Sequence, residues 1–261
     1  MPATDATSAR RNPLRTAIAD LGHALAFLTI LPIRVGDPGA RGLAGAAAFF
    51  PLVGALVGAL AGATRALTAD ALGPLTSSVL AVLVLEIVTG ALHLDGLADT
   101  ADGLGARGGG RERRLAVMRD PAVGVFGVLA LLGWALLLTS ALAQLSDHDA
   151  LLALIAAGLT SRWAALFHAA AEEPARKDGL GAAFDVPPGS LSTATSIAVV
   201  GGLACGFAPG AVALGAALAA FAATTLLARR LLGGRTGDTL GATVALAEVA
   251  VVLALLAIQH G

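Results

Sequence analysis

Charged side chains are scarce in this chain: Asp, Glu, Lys and Arg make up 13% of its 261 residues, where a soluble domain carries roughly 25%. With 56% hydrophobic residues and a mean hydropathy of +0.81, that scarcity excludes an ordinary soluble domain and indicates an integral membrane protein. Cysteine is scarcer still. Cys205 is alone in an apolar run, so no intrachain disulfide can form. The apolar runs lack the inside/outside alternation of barrel strands, which excludes a transmembrane β-barrel. No strong internal repeat is present; "DGLGA" (102–106) and "DTLGA" (238–242) agree only as far as chance allows in a Gly/Ala-rich chain. No convincing cleavage site follows "ARRNPL", and Asp20 and His23 interrupt the run behind it, so a cleaved leader is not expected. The formal net charge of −1 says little about partners, and no nucleic-acid partner is expected.

What the chain does have is apolar length. Runs at 43–65, 75–94, 121–143, 151–171, 211–229 and 241–258, with a shorter one at 192–207, fit spans of about 17 to 25 residues each. The expected fold is therefore all-α: a polytopic helical bundle of about seven transmembrane helices. The 33 glycines permit close helix–helix approach in lipid. Segment 14–33 has basic residues at both ends and includes Asp20 and His23, so it reads as an interfacial or re-entrant helix. Residues 1–13 read as a disordered polar tail and 14–261 as a single membrane-embedded catalytic domain. Placing the loop after residue 94 in the cytoplasm puts 15 of the 17 basic residues on that side. Arg65 is left outside and Arg162 lies within a span, so the expected location is the cell (inner or plasma) membrane with the polar site facing the cytoplasm.

That site starts at "HLDGLADTADG" (93–103), three aspartates at the end of an apolar run. If the helix from about Leu75 continues through it, Asp95, Asp99 and Asp102 stand at i, i+4 and i+7 on one face. Like charges at that spacing repel, and near lipid the cost grows, so a cation is expected. Carboxylate oxygens suit a hard divalent ion, and magnesium commonly takes one or two carboxylates while substrate phosphates fill other positions. The alternative is a solvated acidic helix end.

The next loop, "ARGGGRERRLAVMRD", supplies Arg107, Arg111, Arg113, Arg114 and Arg119 against Glu112 and Asp120. Guanidinium forks grip phosphate oxygens in pairs, although positive-inside topology accounts for several of these arginines. Arg119 and Asp120 stand just before the next span and are substrate-binding candidates. Thr236, Asp238 and Thr239 in "RTGDTLGA" fall on the same face, either to complete the metal site or hold substrate, or to cap a helix. Arg162 lies in an apolar run: it reaches substrate phosphate, or it pairs with Glu86 or Glu248. His93 is a metal ligand or, more commonly for this setting, a packed hydrogen-bond partner. Glu86 stands two turns before it.

The blocks "FLTILPI" (27–33), "FFPLVGALVGA" (49–59), "HLDGLADTADG", "MRDPAVGVFG" (118–127), "SR" (161–162), "GLGAAF" (179–184) and "GGRTGDTLGA" (233–242) together resemble the cobalamin synthase family, the adenosylcobinamide-GDP ribazoletransferases. They run in order across nearly the whole chain, and the third and last are the most specific. The resemblance implies the final assembly step of cobalamin biosynthesis. In it α-ribazole or its 5′-phosphate attacks the activated phosphate of adenosylcobinamide-GDP, GMP leaves, and adenosylcobalamin or its 5′-phosphate forms, with magnesium required. On the chemistry of the residues, Asp95 and Asp99 are the preferred metal ligands and Asp102 a third ligand or the base. Two other classes stay open on the residues alone: a CDP-alcohol-type lipid headgroup phosphotransferase, whose Asp-Gly-x-x-Ala-Arg start "DGLADT" does not match, and an ion-coupled transporter using Glu86, Arg162 and Glu248. The expected partners are the two substrates and the lipid bilayer, with a homo-oligomeric state left open.

Overall fold

The computed structural model describes residues 13–36 and 42–260, so most of the expected polar tail, 1–12, lies outside the described residues. The helices are α1 (Pro13–Leu28), α2 (Gly42–Ala46), α3 (Phe50–Thr89), α4 (Leu92–Gly105), α5 (Gly110–Val117), α6 (Val125–Gln144), α7 (Asp147–Ala171), α8 (Leu180–Ala183), α9 (Pro188–Ala204), α10 (Phe207–Leu227) and α11 (Gly237–His260). Apart from one bridge between Pro174 and Arg235, the described residues contain no strand. Helix is the expected outcome for Ala/Leu-rich apolar runs, because in lipid every backbone group must find its partner inside its own segment.

The protein is an all-α polytopic membrane protein. Five helical stretches are long and apolar enough to cross a bilayer: Gly42–Thr89, Val125–Gln144, Asp147–Ala171, Phe207–Leu232 and Gly237–Gln259. Two features relate these five stretches to the expected count of about seven. The runs 43–65 and 75–94 are joined within the first stretch, and the run at 192–207 becomes α9, whose 17 residues stand at the lower limit of a span. The 40-residue α3 is not straight, however. Gly73 leaves the helical region (φ 78°, ψ 162°) and Pro74 follows it. Arg65 Nε then reaches Ser78 Oγ at 3.2 Å, whereas in an unbroken helix 13 residues would separate them by roughly 20 Å. The chain therefore doubles back at Gly73–Pro74, and α3 is a helical hairpin.

Arg65 fixes one end of the bundle. It is 1% exposed, donates to the Leu145 carbonyl at 2.7 Å, and is ion-paired with Asp147. Leu145 and Asp149 share a small cavity with Cys205, Pro209 and Gln259, so the α6–α7 turn, the α9–α10 turn and the end of α11 meet there. At the other end stand α4, α5, the segment around 172–184 and the start of α11. The α1 helix, at 16 residues, is too short to cross; beyond it Ile30 N–H donates to the Val88 carbonyl at 2.9 Å, tying the strand-like segment to the end of α3.

The core is built from small residues. On α3, Gly54 and Gly58 face the backbone of α7 so closely that a Cβ on either would fall on the carbonyl of Gly158 or Leu154. With no hydrophobic force between helices in lipid, this close contact is what dispersion needs. Gly54→Leu should therefore force the α3 and α7 backbones apart and destabilise the protein by about 1–3 kcal/mol or more. A lowered melting temperature in detergent checks this, and an unchanged one would show that the crossing does not need the glycine.

Candidate active site

The helix expected to run from Leu75 through the aspartates is interrupted. Gly90 and Ala91 both adopt left-handed conformations (φ 63° and 55°), closing α3 through bonds from Gly90 N–H to Ile87 O and from Ala91 N–H to Glu86 O. The aspartates then occupy a helix of their own, α4, so Asp95, Asp99 and Asp102 still share one face at i, i+4 and i+7. That helix lies against α11 and α6. Gly96 allows the first of these contacts: a Cβ there would stand 2.6 Å from the Asp238 carbonyl oxygen. Asp238, in the first turn of α11, thus joins the three aspartates.

The four carboxylates are not equivalent. Asp102 accepts hydrogen bonds from Gly124 N–H at 2.7 Å and Gly127 N–H at 2.9 Å, which makes it the cap for α6. Each of its oxygens accepts one backbone bond, so Asp102 has a structural task beside the third-ligand or base role expected of it. Asp238 accepts from Arg176 Nη2 at 3.2 Å. Asp95 and Asp99 have no side-chain hydrogen bond or ion pair among the described residues. Burial, then the neighbouring Asp95, Asp238 and Asp102, push the Asp99 carboxyl up to about 6, with Arg176 opposing. Among the described residues no three His, Cys, Asp or Glu side chains form a ready-made metal cage. Two free, mutually repelling carboxylates one turn apart nevertheless fit magnesium, which commonly uses one or two and leaves the rest to water and phosphate.

The arginine loop divides in the same way. Arg114 donates to the Gly103 and Leu104 carbonyls and closes the end of α4. Arg111 donates to the Ala175 carbonyl. Arg119 holds both oxygens of Asp178 at 2.6 and 2.7 Å, and Asp120 accepts from Ala122 N–H at 2.9 Å. Only Arg107 and Arg113, both exposed, lack a partner among the described residues. Thr236 and Thr239 are buried and form a reciprocal cap, each hydroxyl accepting from the other's backbone N–H (3.1 and 2.9 Å). Arg235, beside them, donates to the carbonyls of Gly181, Glu172 and Phe184 and so fixes the segment that carries Arg176. Sequence reasoning counted Arg176 only as a topology charge. Its partner lies 62 residues away, and only its place in the same cytoplasmic set as Asp238 hinted at the contact.

A cavity of about 270 Å³ opens beside the cluster, with Asp95, Asp238, His93 and Arg162 among its lining. Arg162 is 2% exposed, is ion-paired with Glu248 and donates to Ser161 Oγ at 3.0 Å, so the structural pairing foreseen for it is present. One oxygen each of Glu86 and Glu248 is buried without a partner. His93 is also buried with Nδ1 unpartnered, and burial, then Arg162, hold its pKa well below the usual value.

Unpaired acid and unpaired arginine gathered at one end of a helical membrane bundle suit a membrane-embedded transferase acting on phosphate groups. Residues 20–256 match the profile of the family described as cobalamin-5-phosphate synthase. The adenosylcobinamide-GDP ribazoletransferase of Bradyrhizobium diazoefficiens is 41% identical over 255 residues, 95% of this chain and 97% of the relative. That of Azorhizobium caulinodans is 40% identical over 259 residues, 92% of this chain and 96% of the relative. No solved structure matches. The chain belongs to the cobalamin-5-phosphate synthase family, and it is a transferase.

The carboxylate cluster makes a prediction about pH. Because folding raises the Asp99 pKa, the stabilising contribution of its protonated form is complete below about pH 4 and is lost as pH rises through about 6. In divalent-free buffer Asp99→Asn should therefore melt above the wild type near pH 7.5, and the gap should close as the pH falls towards about 4.5. A gap that is independent of pH would show that charge repulsion at Asp99 is not its source.

Proposed function

We propose that the chain catalyses the last joining step of cobalamin assembly, transferring the cobinamide phosphate of adenosylcobinamide-GDP to α-ribazole or α-ribazole 5′-phosphate. The observation that carries this reading is the pair of unpartnered carboxylates, Asp95 and Asp99, on a helix that packs against Asp238 and is followed in the chain by Arg107 and Arg113, which have no partner among the described residues. Family membership and the names of the relatives supply the substrates.

In the reaction a ribose hydroxyl oxygen forms a bond to the phosphorus that carries cobinamide. The bond from that phosphorus to the oxygen shared with GMP breaks, GMP leaves, and the hydroxyl proton passes to a carboxylate of the cluster. Such a transfer asks the protein for positioning and for charge stabilisation. Arg107 and Arg113 grip the pyrophosphate as it approaches. Asp102 holds α6 to α4 and keeps Asp95 and Asp99 facing the substrate. Arg176 restrains Asp238 at the edge. Asp95 and Asp99 would hold magnesium, which when bound supplies positive charge against the pyrophosphate. The basic residues of the α4–α6 connection, of 176–177 and of 229–235 lie at the acid end, and Arg65, at the other end, is neutralised by Asp147. That distribution supports an acid end facing the cytoplasm from the inner membrane.

Purified protein in detergent should release GMP from adenosylcobinamide-GDP only with α-ribazole and magnesium both present. Asp95→Asn should lower turnover by about two orders of magnitude or more while the protein stays folded. GMP release that is indifferent to the acceptor would sink the transfer reading, and full activity of Asp95→Asn at saturating magnesium would sink the metal assignment.

The arginines give a separate test. Arg113→Ala should raise the KM for adenosylcobinamide-GDP by about tenfold with little change in melting temperature, as for a charged hydrogen bond of about 1.5–3 kcal/mol. Arg114→Ala should instead lower the melting temperature, because it uncaps α4. The reverse pattern would reassign the two residues.

A further inference from the structure

Three sequence blocks that carry little information singly meet in one place. "FLTILPI" contributes Phe27, "FFPLVGALVGA" contributes Phe50 and "GLGAAF" contributes Phe184. The rings form a parallel stack, Phe27 on Phe50 and Phe50 on Phe184, with centroids 5.6 Å apart and interplanar angles of 14° and 3°. All three line the cavity of about 270 Å³ that reaches Asp95 and Asp238. The backbone at Phe184 is anchored, since Arg235 Nη2 donates to its carbonyl at 2.7 Å. His93, 5% exposed, lines the same cavity, and its imidazole has no hydrogen-bond partner among the described residues. Nothing in the transfer step described above uses the rings or the histidine.

We propose that this cavity is the seat of the acceptor's base: a flat, two-ring, mostly apolar heterocycle lying along the Phe27–Phe50–Phe184 wall with one ring nitrogen bonded to the His93 imidazole. The inference rests on the proposed transfer reaction and specifies which half of the substrate pair sits where. Size excludes the corrin, because the volume lies just below the usual range of small-molecule pockets, roughly 300–1,000 Å³. Polarity separates the two bases that remain. Guanine carries donors and acceptors along most of its edge, and burying them unmatched is costly. Apart from the charged Asp95, Asp238 and Arg162, the cavity's lining offers one polar side chain, the His93 imidazole, which has no hydrogen-bond partner among the described residues. A benzimidazole joined to ribose through one nitrogen has one free ring nitrogen and an otherwise apolar edge, which matches that lining. Its ribose would leave the cavity at Asp95 and Asp238, so a hydroxyl would emerge among the carboxylates where the phosphorus is attacked. The same cavity would then select the acceptor and align it.

The test uses the full-length protein with His93→Leu, His93→Gln and Phe184→Leu, each first checked for a monodisperse, folded preparation. Phe27→Leu replaces Phe184→Leu if the latter does not fold. Equilibrium dialysis of α-ribazole measures acceptor binding without the donor, and wild-type GMP release is assayed in parallel. The expected result is an α-ribazole Kd and KM raised about tenfold in His93→Leu and in the phenylalanine variant, with partial recovery in His93→Gln and a donor KM changed less than twofold. Unchanged acceptor affinity in folded variants, or a rise confined to the donor KM, would overturn the subsite even though wild-type GMP release upheld the transfer reaction. If wild-type protein released no GMP, the reaction would fall, and the dialysis alone would still decide whether the cavity takes a benzimidazole riboside.

Discussion

The approach of α4 to the first turn of α11, backbone against backbone at Gly96 and Asp238, is the contact on which the active end depends. It sets Asp238 beside Asp95 and Asp99 although 139 residues separate Asp238 from Asp99 in the chain. It also places His93, one turn back on α4, over Gly241 of α11, and so forms a wall of the cavity. A side chain at residue 96 would open the contact, and the carboxylates would no longer face one another. The close fit has an electrostatic cost, visible in the upward shift at Asp99. Such repulsion is tolerable only where the rest of the bundle fixes the helices, as the Thr236–Thr239 cap on α11 and the Asp102 cap on α6 do.

Elsewhere the buried arginines are each satisfied. Arg65 is matched by Asp147, Arg162 by Glu248, and Arg235 by three backbone carbonyls. An unpaired ion near lipid is costly, so these pairings are what stability requires. Asp95, Asp99, Arg107 and Arg113 are all at one end, opposite in sign and within reach of solvent, which is the arrangement a charged substrate would complete.

The sequence was informative where period and composition decide the outcome. The scarcity of charge announced the membrane, the i, i+4, i+7 spacing announced one acidic face, and the basic residues marked the end of the bundle where that face lies. It was less informative where a partner is remote or a turn is local. The break at Gly90–Ala91 lies inside an apolar run with no proline, so hydropathy passes straight over it. Asp102 looked like its two neighbours, and only the position of Gly124 and Gly127 shows that it also caps α6. Arg111, Arg114 and Arg119 looked like phosphate-binding groups because a sequence displays charge and hides the carbonyls or carboxylate that satisfy it. The stacked phenylalanines come from three distant blocks, and no period links them.

The two halves of the active end act on different parts of a reaction. An apolar wall touches a base in the same way before and during bond formation, so its contribution appears in affinity and selectivity. Carboxylates and arginines around a pyrophosphate meet a charge distribution that changes as the leaving group departs, so theirs can appear in turnover. Placing the wall within the bundle and the charges at its rim keeps each in the medium that favours it: apolar contact where water is excluded, and ionised groups where solvent still reaches them. The boundary between the two is the line from His93 to Asp95, barely half a turn of α4. A nucleoside lying across that boundary would have its base on one side and its ribose on the other, so the short helix itself would measure the distance between recognition and chemistry.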